Sequence, residues 1–106
     1  AFAPHGMQKF SWDLATREFA SAWVNREVSS ANGVPLVSLG SNTLYTVGGR
    51  DGKWALEGID WTTGESVLTW ITGSSRYNTV FAGLFIDDEG HILHGTAFGM
   101  VRYPAR

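Results

Sequence analysis

Cysteine is absent from this chain of 106 residues, which excludes a disulfide framework and thiol chemistry and leaves either redox compartment open. Charge is scarce as well. Only 17% of residues are charged and the net charge is −2, with Lys and Arg scattered along the chain. Nucleic acid is therefore not an expected partner, because phosphate binding needs a concentrated basic face. No apolar run approaches the ~20 residues of a membrane-spanning helix, so no membrane partner is expected either. The opening "AFAPHG" lacks the basic and apolar segments of a signal peptide. It is compatible with a mature end left by cleavage, and the expected localisation leans to secreted or periplasmic. What the chain does have is 43% apolar residues, thirteen glycines and five tryptophans. That composition belongs to a folded, turn-rich domain.

Three of the tryptophans crowd into "WALEGIDWTTGESVLTW" (54–70), and part of that stretch occurs twice. When "FSWDLATREFASAW" (10–23) is laid over "EGIDWTTGESVLTW" (57–70), Asp13 meets Asp60, Thr16 meets Thr63, Glu18 meets Glu65 and Trp23 meets Trp70, all at an offset of 47. Downstream, "NGVPLVSLGSNTLYTVG" (32–48) lies over "NTVFAGLFIDDEGHILHG" (78–95), with Leu44-Tyr45 on Ile92-Leu93. The end echoes the beginning: "APHGMQKF" (3–10) returns as "TAFGMVRY" (96–103), Gly6 over Gly99, and Gly52 takes the same place in the middle copy.

A period near 47 with no sustained helical spacing points to strands. Short β-branched and aromatic runs alternate with Gly, Asn and Asp turns, and one period holds four of them. We read first strands at 34–39 and 79–86 and second strands at 43–48 and 91–95. Third strands fall at 7–13, 53–60 and 100–103, and fourth strands at 18–24 and 65–71. Four antiparallel strands in about 45 residues make one blade of a β-propeller, with a β-sandwich of duplicated hairpins as the alternative. The expected fold is all-β: one two-blade segment over 1–106, with repeat units at about 6–52 and 53–99 and 100–106 starting a third. Propellers close with four to eight blades, so this ring is incomplete and needs further blades from identical chains or from the rest of a larger propeller. In the "DWTTG" turn Asp60 accepts backbone N–H groups and Gly64 takes a left-handed φ. Arg17 stands in Gly64's place, so the first copy's turn is expected to be built differently. Trp23 and Trp70 are expected as wedges between blades.

Ala55-Leu56, Asp60, Thr63, Gly64 and Trp70 resemble, in order, the repeat of pyrroloquinoline-quinone-type propellers, with Asp60 and Trp70 each set further along than in that pattern. The resemblance implies the propeller fold. Family members that bind the quinone surround it with acidic and amide side chains, calcium and often a cysteine pair. With no cysteine here, no cofactor is expected.

In a propeller the fourth-to-first and second-to-third loops gather on one face, where ligands bind. Here those loops are 25–32 and 73–78, and 3–6, 49–52 and 96–99, so His5, Asp51 and Phe98 hold one equivalent slot. Candidate ligand-binding residues are Arg76, a planar fork for carboxylate or phosphate, Tyr77, Asn78, Asn32, His5, Arg50 and Asp51. Arg76 could instead pair with Asp51 or Glu57. His91 and His94 lie three apart on one strand and point to opposite faces, which argues against a shared metal. "DDEG" (87–90) reads as a solvated turn without the ligand series of a calcium loop. Three functions follow: a module binding a small molecule, glycan or protein on the loop face; part of a hydrolase, lyase or quinone-type oxidoreductase with catalytic residues on other blades; or a structural or designed fragment.

Overall fold

The computed structural model describes residues 5–30 and 33–104. It is all-β, with a single short 3-10 turn at Ser75–Tyr77 among the described residues. Among the described residues nine strands run in order: β1 (Met7–Asp13), β2 (Glu18–Asn25), β3 (Leu36–Ser38), β4 (Thr43–Arg50), β5 (Lys53–Asp60), β6 (Ser66–Ile71), β7 (Leu84–Ile86), β8 (Ile92–Thr96) and β9 (Gly99–Tyr103). They form three antiparallel sheets in chain order: a two-stranded ribbon β1-β2, a four-stranded sheet β3-β4-β5-β6 and a three-stranded sheet β7-β8-β9. Among the described residues no sheet closes into a barrel.

The middle sheet packs on both faces because its strands alternate. Leu44 and Ile59, cross-strand partners, join Trp23 and Val28 in one core beside the ribbon. Val47 and Leu56, also partners, point the other way, into a second core with Leu84, Ile92 and Tyr103 of the third sheet. Each such side chain contributes about 1.5–3 kcal/mol on burial. The outer sheets bury only their inner faces. Phe10, Trp12 and Phe19 form an exposed aromatic cluster on the ribbon's outer face, and Phe85 and Met100 are exposed on the third sheet.

The contact has one polarity. The ribbon turns Trp23 toward the middle sheet, where the indole N–H donates to the Trp61 carbonyl at 3.0 Å and the ring meets that of Trp61 edge-on. Lys9, paired with Trp23 across the ribbon, donates to the same carbonyl and sits 3.9 Å over the Trp61 ring. In the middle sheet Trp70 pairs with Leu56 and turns toward the third sheet, where its ring meets Tyr103 at 5.6 Å.

Three local expectations need correction. The turns at 13–17 and 60–64 are the same. Asp13 accepts from the backbone of Ala15 and Thr16, Asp60 from Thr62 and Thr63, and Arg17 N–H bonds Asp13 O at 2.8 Å as Gly64 N–H bonds Asp60 O at 2.9 Å. Arg17 adopts the left-handed φ of 56° that Gly64 reaches at 81°. Arg17 is exposed, with no indole against it among the described residues, whereas a Cβ on Gly64 would lie 2.6 Å from the Trp23 ring, so the second copy is the one that requires glycine. The bonds that Thr16 and Thr63 make from their backbones are the leading cause of both carboxyls titrating below the usual Asp value. Secondly, the first strands are shorter than read. Residues 79–82 close a turn, Ala82 N–H to Thr79 O at 2.9 Å, with Val80 and Phe81 at φ of 48° and 67°. Thirdly, Gly6 and Gly99 share an unusual φ (147° and 144°), while Gly52, in the two-residue Asp51-Gly52 turn, has 73°.

Candidate functional site

The residues after β6 leave the sheet under tight control. Thr72 N–H, Thr72 Oγ1 and Gly73 N–H all donate to the Trp54 carbonyl, at 2.9, 2.9 and 3.1 Å. Ser74 then caps the 3-10 turn, its Oγ accepting from Arg76 N–H, and Asn78 N–H closes onto Ser75 O. Asn78 Oδ1 accepts from Val80 N–H at 3.0 Å, so this amide shapes the next turn. Arg76 and Tyr77 are thereby carried on a short rigid segment.

Opposite them stands the β8–β9 hairpin. Thr96 Oγ1 donates to Gly99 O and accepts from Phe98 N–H, which locks the tip and leaves the Phe98 ring exposed. The Arg76 guanidinium lies 5.8 Å from the Phe98 ring centroid, within cation–π reach. Between them opens a cleft of about 280 Å³ lined by Arg76, Tyr77, Thr96, Phe98, Met100 and Val101. Beyond Tyr77 and Val101, which it shares, a second cleft of about 280 Å³ is walled by Trp70, Arg102 and Tyr103. The first lies between the 3-10 turn and the β8–β9 hairpin, the second between the end of β6 and β9.

The other candidates are placed elsewhere. Arg50, not Arg76, is the partner of Glu57. Arg50 Nε and Nη2 donate to the two carboxylate oxygens at 2.9 and 2.7 Å, and Glu27 lies 3.8 Å away. Glu57 is completely buried, and its hydrogen bonds raise the Arg50 pKa, so this guanidinium stays charged and engaged. Asp51 occupies the exposed tip of the β4–β5 hairpin at a φ of 52°. His5 is exposed ahead of β1, and no hydrogen bond joins it to Arg50 or Asp51. Asn32 lies outside the described residues. Among the described residues no group of His, Asp and Glu is arranged to hold a metal. His91 bonds Asp87 at 2.9 Å within the 87–90 turn, while His94 is buried against the middle sheet.

His94 is one group that sequence reasoning left without a role. Its Nδ1 faces Gly95 O, which can only accept, so the proton is assigned there and Nε2 accepts from the Tyr103 hydroxyl at 3.1 Å. Burial lowers the His94 pKa, and burial pushes Tyr103 up to about 12. The pair is a neutral structural contact under the Trp70 ring. Phe98 was visible as a loop tip, but its meeting with Arg76 brings the 3-10 turn after β6 against the β8–β9 hairpin.

An uncharacterized protein of Archaeoglobus fulgidus is 37% identical to this chain over 101 residues, which is 94% of the chain and 20% of that protein. The chain thus spans about a fifth of the length of the relative. No protein-family model and no solved structure matches it.

Proposed function

We propose that this chain is a run of β-propeller blades, the last two strands of one, a complete second and the first three strands of a third, and that it serves as a recognition module on its loop face. The observation that carries this reading is the shared polarity of the sheets. The ribbon and the middle sheet turn Trp23 and Trp70 toward the sheet that follows, and the middle and third sheets turn Leu44 and Ile92 toward the sheet that precedes. The isolated parallel bridge between Val34 and Gly83, where the two first strands approach, suits blades that converge on an axis. Trp12 sits at the offset of 47 from buried Ile59 yet is 48% exposed, which suits a further sheet covering Phe10, Trp12 and Phe19. With four-fifths of the similar archaeal protein lying beyond the match, such sheets have room in a longer chain. Because Arg17 fills the Gly64 position, the covering sheet would pack on Trp12 and Phe19 and keep any indole off the 13–17 turn.

The test is association. The 106-residue chain should self-associate, and replacing Phe10, Trp12 and Phe19 by serine should suppress that association in sedimentation while near-UV circular dichroism keeps the Trp23 signal. A wild-type chain that sediments as a stable monomer with a cooperative unfolding transition overturns the reading.

A further inference from the structure

We infer that the cleft between the Ser75–Tyr77 turn and the β8–β9 hairpin binds an acidic saccharide, with a sugar carboxylate on Arg76 and the apolar face of its ring on Phe98. This rests on the recognition-module reading and names its ligand class.

The inventory of polar groups leads there. Among the described residues Arg76 has no carboxylate within 4.0 Å, since the arginine ion pairs are those of Arg50 with Glu57 and Glu27. The Thr96 hydroxyl is consumed inside its own hairpin, and the Arg76 backbone N–H is committed to Ser74. The guanidinium is thus the cleft's one formal charge, offered as a fork that matches a planar carboxylate. Beside it Phe98 and Met100, 75% and 68% exposed, supply the apolar wall. A pyranose presents a face of C–H groups that an aromatic ring contacts well, while its hydroxyls stay in water, which suits so open a site.

The cleft is lined by no acidic residue, although the chain as a whole carries a net charge of −2. A single-stranded nucleic acid would also use stacking and charge, but it relies on a groove rich in Lys and Arg, and Arg76 is the cleft's whole cationic complement.

Calorimetric titration of the chain, in whatever assembly it forms, with a uronic-acid trisaccharide, its neutral counterpart and an oligothymidylate decides the matter. The acidic saccharide should bind at least about tenfold more tightly than the neutral one, the difference one charge-assisted bidentate contact supplies. Arg76→Ala should remove that preference, Arg76→Lys should restore part of it, and Phe98→Ala should weaken both saccharides. Arg26→Ala, on the groove beside residues 64–66, should change nothing. Equal binding of acidic and neutral saccharides, no heat with either, tighter binding of the oligothymidylate, or an unaltered preference in Arg76→Ala each overturns the proposal. Assembly is judged by mass and ligand class by these titrations, so either can fall alone.

Discussion

Trp23 and Trp70 occupy the same register on the same kind of strand, 47 residues apart, yet Trp23 is 7% exposed and Trp70 is 42% exposed. The strand does not make the difference. Trp23 is covered by the turn that follows β5, where Gly64 brings its backbone against the indole and Trp61 gives both a ring and a carbonyl. Among the described residues Trp70 meets the end of β9, through Tyr103. Burial of a side chain on a sheet face is therefore set by what the neighbouring sheet places over it, and the same residue in the same repeat slot carries different energies.

Substitutions at the two sites should break this symmetry unequally. Trp23→Ala is expected to cost about 3–5 kcal/mol in urea unfolding, since it empties a closed contact and removes the edge-on packing against Trp61. An effect no larger than that of Trp70→Ala would refute the comparison. Gly64→Ala should cost about 1–3 kcal/mol, because it adds a Cβ to a left-handed residue and thrusts it into the Trp23 ring. Trp70→Ala should cost about 1–2 kcal/mol, the share of one half-buried indole, and the loss should grow if a further sheet is supplied.

The third-sheet contact should also differ in its response to acid. Folding depresses the His94 pKa below 6.5, so the unfolded chain takes up this proton first. The stability His94 contributes is complete above 6.5 and is lost as pH falls from there through the folded value. Unfolding midpoints between neutral and mildly acid pH should show this slope, and His94→Asn should flatten it. The smallest effect has the opposite sign. Arg17→Gly should stabilise by about 0.5 kcal/mol, since relief of the left-handed strain slightly exceeds the entropy glycine adds to the unfolded chain; a loss of stability would show that Arg17 makes a contact beyond its turn.

Much of the local structure was readable along the chain. Asp13 and Asp60, each followed by Thr three residues on, mark turns whose carbonyl and carboxylate acceptors are chain neighbours, and the strands flanking them alternate as expected. The reading failed where a residue takes a conformation against its preference. Arg17, Val80 and Phe81 all sit at positive φ, and closing contacts hold them there despite their side chains. For the site, Arg76 and Tyr77 could be singled out as a loop pair, and Phe98 as an exposed tip. Which arginine would be spent on Glu57 could not, because Arg50 reaches it through pairing across the β4–β5 hairpin and Arg76 does not.

By itself the amino-acid order determined the nine strands, to within a few residues at their ends, and the register of the tryptophans on them, because each depends on residues a few positions apart and on the two-residue alternation of a pleated strand. Only the tertiary structure decided which tryptophan is covered, which guanidinium is neutralised and which loops share a cleft. Those depend on how separate sheets are set against one another, and distances between sheets are written in no short stretch of the chain.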